Sequence, residues 1–566
     1  MLTQNKSTQN THSIEWITAN AGSGKTSYLL SKIECLEHTL CLTFSNACAD
    51  EINNRINNTH STSSISTLHA FCLKLLTEYN PYYSLIDAHS TNILWNIALE
   101  HALTQAVITP SIISKLHKLE KPNTYTMLHT FKGELEPLHK LLLEHFNNLK
   151  AKECLLTFDD ILIQTIKLLD NNLAPHILHK HLGHKKILCI DEAQDLSYMQ
   201  WKVVFALMQE LLQLNQMHIY ITGDEKQSIY SFQGACLDNY QKAKLACKQM
   251  CDDMQYIQFK QTKLEQTHRM PQQLCTLVDK IFQNAEQHIW HTTHISSINS
   301  SEGNHFEILN IENHTNINQT NDWIQSLVNK IKQLHTLYKP NQMKILIRKR
   351  NQIYQQLCQK LNDHNIPTTY QNLEDMRCFL LNLCTFFHTN EQYYFFKAQE
   401  YFEINLRRLP KTNNAAAIVQ AVFSMLDFNN EQLLLIALNC HSLAQFIDQL
   451  SHISLEEKND NAIQIQTIYQ TKGQEAEVIF LCDTTLNLNQ TYTDQIIHQN
   501  HIIDNENDEY EQLLEEHKQK LEMESDRLLY VGLTRAKNQL IIVPSPNIAA
   551  PENCWLTKIK NTIEKL

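Results

Sequence analysis

The chain has 566 residues, of which 43% are hydrophobic and 19% charged, and its formal net charge is −12. The length is enough for roughly four domains of about 150 residues each, and the composition is typical of globular proteins. No apolar run approaches the ~18 residues of a membrane span, and the polar start lacks a signal-peptide core. We therefore predict a cytoplasmic protein. The acidic net charge counts mildly against nucleic-acid binding, so any such binding would need local patches.

The 16 cysteines are scattered and include no C-x-x-C pair. This spacing disfavours a zinc ribbon or an iron–sulfur cluster, so we interpret most of them as reduced, buried thiols. The histidine-rich stretch His176–His184 is a weak candidate for metal binding, because no cysteine or carboxylate completes a ligand shell.

Taken in chain order, short apolar strands alternate with helices over residues 14–56, and residues 76–155 have helical periodicity. Residues 370–461 are again helical by pattern. Further strand-like runs are Lys186–Ile190, His218–Thr222, Met343–Ile347, Glu477–Asp483 and Gln539–Val543. Apolar strands separated by helices predict parallel sheets. We expect an α/β protein with two such regions, each interrupted by a helical block.

The stretch ITANAGSGKTSYLL (Ile17–Leu30) has the spacing and the strand–loop–helix context of a phosphate-binding loop. Gly22 and Gly24 would let the backbone close around phosphate oxygens. Lys25 would reach the β- and γ-phosphates, and the Thr26 hydroxyl would bind Mg²⁺. The usual first glycine is Ala19 here, where a small residue suffices at negative φ. The loop residues predicted to bind the nucleotide are Ala19, Asn20, Ala21, Gly22, Ser23, Gly24, Lys25 and Thr26.

A pair of carboxylates follows the apolar strand Ile187–Ile190 in the stretch ILCIDEAQD. Ligands of α/β sheets bind at the carboxyl ends of the strands. Asp191 would hold Mg²⁺ through water, and Glu192 would orient and deprotonate an attacking water. Together with the loop, this pair predicts a site for ATP and Mg²⁺.

Six further stretches complete an ordered set of motifs: LTFSNACADEINNRI (42–56), STLHAFCLKLL (66–76), ITGDEKQSIYSFQGA (221–235), LEQTHRM (264–270), QTIYQTKGQEAEVIFLCD (466–483) and DRLLYVGLTRAK (526–537). In this order they resemble the motifs of UvrD-like superfamily 1 DNA helicases. The forms ANAGSGKT, TLHAFC and GDEKQSIYSFQGA are most similar to the helicase part of AddA, a helicase–nuclease subunit in double-strand-break repair. The resemblance covers residues ~14–285 and ~340–545.

The resemblance implies a P-loop NTPase fold with two RecA-like parallel-sheet domains, helical insertions, and ATP between the domains. The implied boundaries are residues 1–75 and 156–290 for the ATP-binding domain 1A, 76–155 for the helical insertion 1B, 291–372 and 462–548 for domain 2A, 373–461 for a shortened insertion 2B, and 549–566 for a C-terminal tail.

The resemblance also implies roles at the nucleotide. Gln227 would contact the γ-phosphate and signal its presence to the DNA side; a turn-stabilising amide is the alternative. Arg269 and Arg535 would stabilise charge on the transferred phosphoryl group, although each alone would suit a surface salt bridge. Glu475 would contact the ribose, and Gln4 or Gln9 would contact adenine.

For DNA, the family stacks bases on aromatic side chains. Phe44, Tyr230 and Phe232 match those positions, although Phe44 or Tyr230 could instead be core residues. Phosphate contacts are expected from Thr43, Asn46, Thr67 and His69.

Several features depart from the family. His268 stands where relatives carry Tyr or Phe against adenine, and only about 90 residues occupy the second insertion. About thirty residues follow Lys537, without a D-Y-K nuclease signature. We therefore expect no nuclease in this chain and allow for one on a partner, an AddB-like subunit.

The function predicted from the resemblance is an ATP-dependent DNA helicase or translocase, expected to move 3′→5′ on single-stranded DNA in recombinational double-strand-break repair. Two alternatives remain open. One is a DNA-stimulated ATPase that serves as a structural, non-unwinding subunit of a repair complex. The other is a nucleotide-dependent switch that never contacts DNA.

Overall fold

A computed structural model of the chain describes residues 12–33, 38–56, 65–86, 88–116, 119, 130–170, 174–182, 185–214, 217–231, 234–254, 256–283, 288–290, 293–298, 305–310, 319–348, 352–369, 373–389, 398, 409–410, 412, 414–426, 431–452, 461–486, 495–498, 501–504, 510–545 and 554–564. Internal contacts divide the chain into two compact units. The first is formed by Met1–Leu309 and Ile468–Leu566, and the second by Asn310–Thr467.

Strands and helices alternate over most of the described chain. The strands are β1 (His12–Ala19), β2 (Thr39–Thr43), β3 (Ile65–Thr67), β4 (Ser84–Leu85), β5 (Thr130–Lys132), β6 (Leu155–Leu156), β7 (Ile187–Ile190), β8 (His218–Gly223), β9 (Ile257–Leu264), β10 (Gln266–Thr267), β11 (Ile295–Ser296), β12 (Phe306–Ile308), β13 (Met343–Ile347), β14 (Thr368–Thr369), β15 (Ile463–Thr467), β16 (Ala476–Leu481), β17 (Gln495–His498), β18 (His501–Asp504) and β19 (Ala536–Ile542).

The helices are α1 (Lys25–Lys32), α2 (Asn46–Ile56), α3 (Leu68–Tyr79), α4 (Ala88–Gln105), α5 (Pro110–Lys115), α6 (Glu136–Lys152), α7 (Phe158–Leu169), α8 (Ala174–Leu182), α9 (Tyr198–Leu214), α10 (Leu237–Asp253), α11 (Gln272–Phe282), α12 (Gln319–His335), α13 (Gln352–Asp363), α14 (Leu373–Thr389), α15 (Ala415–Leu426), α16 (Glu431–Asn439), α17 (Leu443–His452), α18 (Tyr510–Leu533) and α19 (Trp555–Ile563).

The first unit is organised by a parallel sheet with the strand order β3–β2–β7–β8–β1–β9. Apolar side chains on β1 pack against the helices α9 and α10. Trp16, for example, is fully buried, stacks on Trp201 at 5.9 Å and donates a hydrogen bond to the Tyr240 hydroxyl at 3.0 Å. Because the strands are parallel, the carboxyl ends of β1, β2, β7 and β8 lie at one edge. The loops that follow these strands are therefore close together.

A helical insertion follows α3 in the same unit. Helices α4, α5 and α6 bury a core of their own around Trp95, Leu142 and Phe146. A buried ion pair joins the insertion to the next helix, since Lys150 Nζ on α6 lies 2.7 Å from Asp160 Oδ2 on α7. Asp160 also accepts the Thr157 backbone N–H at 2.9 Å, which caps the N-terminus of α7. The start of α7 is thereby fixed.

Parallel strands recur later in the chain. In the first unit, β19 pairs with β12 and with β16. In the second unit, β15 pairs with β13 and β14, and helices α14–α17 bury an apolar core that includes Phe379, Val419 and Phe446. The prediction of two α/β regions built on parallel strands is confirmed, while the domain boundaries stay a prediction. No helix in the described part of the chain is both long and apolar enough to cross a membrane.

Candidate nucleotide site and adjoining aromatic residues

The loop between β1 and α1 has a backbone that only glycine adopts without strain. Gly22 and Gly24 have φ angles of 71° and 81°, in the left-handed region. A Cβ atom on Gly22 would lie 2.6 Å from the Cβ of Arg269, so a larger residue would displace one of the two segments. Ala19 is the last residue of β1 and is buried in extended backbone. A glycine is therefore not required at the loop entry.

Hydrogen bonds of the Ser23 and Asn20 side chains hold this loop in place. Ser23 Oγ donates to the Asn20 carbonyl oxygen at 2.8 Å. Asn20 Nδ2 donates to the Thr293 carbonyl oxygen at 2.9 Å, and Asn20 Oδ1 accepts from the ammonium group of Lys226. Burial lowers the pKa of Lys226. The side chain of Asn20 therefore fixes the loop, and the nucleotide would meet the loop's backbone.

The predicted lysine, threonine and carboxylates converge at the carboxyl ends of β1 and β7. Lys25 Nζ lies 3.9 Å from Glu192 Oε1. Thr26 Oγ1 lies 3.5 Å from Asp191 Oδ2, and Thr222 donates to Asp191 Oδ1 at 2.5 Å. A hydroxyl and a carboxylate oxygen are hard ligands of the kind that Mg²⁺ prefers. Thr26 and Asp191 therefore fit the predicted metal role.

The two adjacent carboxylates differ in electrostatic environment. Burial, followed by the charge of Glu192, raises the pKa of Asp191. Burial also acts to raise the pKa of Glu192, but the charges of Lys25 and Lys472 outweigh it and lower that pKa. Glu192 also has a φ of 51°, a strained value for a non-glycine residue that is common at functional sites. The ionised form of Glu192 is the form that can accept a proton.

Gln227 lies on the short turn after β8, and its amide connects this turn to Arg535. Gln227 Nε2 donates to Asp224 Oδ2 at 2.7 Å, and Gln227 Oε1 accepts from Arg535 at 3.3 Å. Arg535 is 1% exposed and also donates to the carbonyl oxygens of Val531 and Gln474, at 2.9 and 3.3 Å. Burial, followed by the charge of Arg269, lowers the pKa of Arg535. The two predicted arginines are therefore electrostatic neighbours.

Arg269 packs beside the loop and is held by Glu475. Arg269 Nε donates to Glu475 Oε2 at 2.7 Å, and a second guanidinium nitrogen donates to the Thr534 carbonyl oxygen at 3.2 Å. Glu475 Oε1 lies 2.6 Å from Lys537 Nζ. Burial acts to raise the pKa of Glu475, but Lys537 and Arg269 lower it. Glu475, predicted to bind ribose, is thus an ionised bridge between two cations in this structure.

A second buried ion pair at the site was not predicted from the sequence. The Lys472 ammonium contacts Asp195 Oδ2 and donates to the Gln227 carbonyl oxygen at 2.6 Å. Asp195 is 1% exposed, and burial raises its pKa to about 7. Both residues lie inside two of the motif stretches, DEAQD and TKGQE. Their position in those stretches was the available signal.

Two of the predicted DNA-binding aromatics contact each other. The Phe44 and Tyr230 rings stack with centroids 5.2 Å apart, the Tyr230 hydroxyl donates to the Tyr469 carbonyl oxygen at 3.1 Å, and Lys472 Nζ lies 5.1 Å from the Tyr230 ring centroid. Phe44 is partly buried against the core of the first sheet. Phe232 lies outside the described residues.

Three of the four polar residues predicted to meet DNA lie at helix starts, whereas Thr43 is the buried last residue of β2 and its hydroxyl donates to the Ser45 carbonyl oxygen at 3.0 Å. Thr67 caps α3 by accepting the Ala70 N–H at 3.2 Å, and Asn46 begins α2. Burial lowers the pKa of His69, whose ring is 5.9 Å from that of Phe158. Phe158 is 57% exposed at the start of α7 and was not predicted. An exposed aromatic ring beside His69 extends the candidate surface for bases.

The remaining predictions have mixed outcomes. Gln4 and Gln9 lie outside the described residues. His268 is exposed beside the loop, with its Cδ2 3.8 Å from where a Cβ on Gly24 would be, and its Nδ1 is 2.8 Å from Ser297 Oγ. In the part of the chain that the structure describes, no group of three His, Cys, Asp or Glu side chains is arranged to hold a metal ion.

A phosphate-loop backbone, carboxylates at the next strand ends and two nearby arginines, all on parallel-sheet α/β regions, define a P-loop NTPase. Family models agree and are more specific. The UvrD/REP helicase N-terminal domain matches residues 2–248, and the UvrD-like helicase C-terminal domain matches residues 395–546. The chain belongs to the UvrD-like superfamily 1 helicases.

Individual relatives match a smaller part. The chain is 28% identical over 250 residues to a probable DNA helicase II homolog of Mycoplasma capricolum, covering 39% of this chain and 33% of that protein. It is 28% identical to the ATP-dependent DNA helicase Rep of Buchnera aphidicola, over 40% of this chain and 36% of that protein. It is 26% identical to the ATP-dependent DNA helicase PcrA of Bacillus subtilis, over 39% of this chain and 32% of that protein. The chain thus spans about a third of the length of these relatives.

Substitution of Gly22 tests the loop geometry. We expect Gly22→Ala to weaken binding of a fluorescent ATP analogue by at least about tenfold, because the new methyl group overlaps Arg269 and the backbone becomes strained. Gly473→Ala is the matched control. Gly473 has a φ of 81°, but nothing lies within 4 Å of the point that a Cβ atom would occupy there, so this change adds backbone strain alone. Equal loss of nucleotide affinity in both variants would contradict the role of the Gly22–Arg269 contact.

Proposed function

We propose that this protein is an ATP-dependent DNA helicase or translocase that acts on single-stranded DNA. The observation that carries the proposal is the convergence of five charged side chains around the phosphate loop. Lys25, Asp191 and Glu192 lie where the loop meets the carboxyl ends of β1 and β7. Arg269 packs against Gly22 of the loop, and Arg535 donates a hydrogen bond to Gln227 on the turn after β8. Membership of the UvrD-like family and the names of the relatives support the same activity.

The chemistry follows from the roles these groups can take. Lys25 would bind the β- and γ-phosphates, and ionised Glu192 would accept a proton from the water that attacks the γ-phosphate. Arg269 and Arg535 would stabilise the negative charge that develops on the transferred phosphoryl group. Thr26 and Asp191 would hold Mg²⁺, which neutralises phosphate charge when it is bound.

The link to DNA runs through the turn that carries Gln227. Gln227 contacts Arg535, and Tyr230, three positions further on, stacks on Phe44. A movement of Gln227 on contact with the γ-phosphate would therefore also move Tyr230, a proposed base-stacking residue on the same turn. The proposed stacking residues are Phe44, Tyr230, Phe158 and, from the sequence alone, Phe232, with Thr43, Asn46, Thr67 and His69 as polar contacts to the strand.

The finer proposal is an AddA-type role. The stretches ANAGSGKT, TLHAFC and GDEKQSIYSFQGA support it. In that role the protein would move 3′→5′ in the repair of double-strand breaks in the cytoplasm, together with an AddB-like nuclease subunit. The 1A, 1B, 2A and 2B boundaries given above belong to the same proposal.

ATP turnover with and without single-stranded DNA is the primary test. We expect oligonucleotides to stimulate the wild-type ATPase strongly. Lys25→Ala should reduce turnover at least about a hundredfold, because a positioned cation at the phosphates is lost. Lys32→Ala, at the other end of α1, is the control and should behave like the wild type. Absence of DNA stimulation in the wild type would favour a nucleotide switch that does not contact DNA.

The aromatic surface can be tested by DNA affinity. Tyr230→Ala should raise the Kd for single-stranded DNA by roughly 5- to 150-fold, the equivalent of one lost stacking contact. Tyr230→Phe keeps the ring and removes the hydroxyl that donates to the Tyr469 carbonyl oxygen, so its affinity should stay close to wild type. Fluorescence anisotropy with a labelled oligonucleotide measures both. If Tyr230→Ala binds as tightly as Tyr230→Phe, base stacking is not the role of this residue.

Strand separation distinguishes a helicase from an ATPase subunit that does not unwind. A partial duplex with a 3′ single-stranded tail should be separated in the presence of ATP, and one with a 5′ tail should not. A gel assay with labelled strands reports both substrates. DNA-stimulated ATP turnover without separation of either substrate would support the structural-subunit alternative.

A further inference from the structure

A chain of hydrogen bonds outside the predicted site residues leads to the phosphate loop. The Ala21 backbone N–H donates to the Tyr530 hydroxyl oxygen at 3.2 Å. That hydroxyl lies 2.8 Å from Nε2 of His294, and His294 Nδ1 lies 2.5 Å from Asp279 Oδ1. Asp279 Oδ2 also accepts the His294 backbone N–H at 2.9 Å. The chain therefore runs from a carboxylate at α11 to the backbone of the loop.

The order of donors and acceptors defines one protonation pattern. Ala21 can only donate, so the Tyr530 oxygen accepts from it and keeps its own hydrogen for another partner. Nε2 of His294, 2.8 Å away, accepts that hydrogen in the tautomer that has its ring hydrogen on Nδ1. In the same tautomer the Nδ1–H group donates a hydrogen bond to the Asp279 carboxylate. Every group in the chain is thus matched when His294 is neutral in this tautomer.

The buried surroundings of these hydrogen bonds limit the orientations that Tyr530 can adopt. Tyr530 is fully buried and His294 is 3% exposed. The Trp290 ring contacts Tyr530 at 5.7 Å between centroids, and Lys226 Nζ lies 5.4 Å from the Tyr530 ring centroid. Hydrogen bonds shielded from water are stronger, and a buried donor or acceptor without a partner lowers the stability of the fold. Tyr530 is therefore held in one orientation.

Tyr530 lies on α18, the helix that leads into Arg535. The same residue that accepts from Ala21 is therefore close in the chain to the guanidinium that meets Gln227. We propose that Asp279, His294 and Tyr530 are a positioning relay that sets the distance between the phosphate loop and Arg535. This inference rests on the proposed ATPase function. None of the three side chains needs to touch the nucleotide.

Because the relay aligns Arg535 for the transition state, its loss should lower kcat more than it raises KM. We expect Tyr530→Phe to reduce kcat for ATP about tenfold, the effect of losing buried hydrogen bonds. KM for ATP should change by less than about threefold, since Lys25 and the loop glycines remain.

Two substitutions of His294 separate alignment from packing. His294→Gln can offer its amide oxygen to Tyr530, whereas His294→Asn can donate near the Nδ1 position but does not reach Tyr530. Both remove the imidazole ring, so both lose similar packing. We expect His294→Gln to keep kcat within about threefold of the wild type and His294→Asn to lose about as much as Tyr530→Phe.

The double variant Tyr530→Phe with His294→Asn should have the kcat of Tyr530→Phe alone, because both changes break one chain. Tyr240→Phe is the matched control, since it also removes a fully buried tyrosine hydroxyl, here one that accepts from Trp16 and not from Ala21. Equal kcat for His294→Gln and His294→Asn, additive losses in the double variant, or unchanged kcat in Tyr530→Phe would each overturn the relay. A wild type without ATPase activity would instead reject the proposed function.

Discussion

A buried guanidinium group joins the two sides of the nucleotide site. Arg535 is 1% exposed, and a charge removed from water is costly unless hydrogen bonds replace the solvent. Its donors meet oxygens of Val531, Gln474 and Gln227, which lie on three different segments. These hydrogen bonds fix the end of α18, the turn before β16 and the turn after β8 relative to one another. If one of these segments moved away, the buried guanidinium group would lose a hydrogen-bond acceptor.

The same helix holds the turn that leads to the aromatic residues. Arg527 donates to the Ser228 carbonyl oxygen at 2.7 Å, and the Ser231 backbone N–H donates to Glu524 Oε1 at 3.3 Å. These contacts flank Tyr230. A displacement of α18 that follows a change at the phosphates would thus shift the aromatic turn as a unit. Helix α18 is thus an element shared by the candidate nucleotide site and the proposed DNA-binding turn, with contacts along three of its turns.

The parts of the fold that could be predicted are those with local signals. The phosphate loop and the strand Ile187–Ile190 have compact patterns in adjacent residues. Strand β9 was missed because it is an edge strand with the polar, partly exposed sequence IQFKQTKL. Side-chain partners could not be predicted for a different reason. Lys472 and Asp195 are 277 positions apart, so only the three-dimensional fold brings them together. The stacking of Phe44 on Tyr230 depends on the fold in the same way.

The acidic total of −12 is compatible with a DNA-binding surface, because the cations nearest the site are already engaged. Lys25 faces Glu192, Lys472 faces Asp195, and Arg269 and Lys537 share Glu475. In these pairs the carboxylates offset most of the positive charge, and the phosphate groups of a nucleotide would compete with them for the cations. A strand that passes Phe44 and Tyr230 would then be gripped mainly by stacking and by neutral hydrogen bonds, which depend little on the net charge of the protein. For the proposed translocase, weak electrostatic attraction would ease release of the strand at each step, since a large phosphate contact would have to be broken every time.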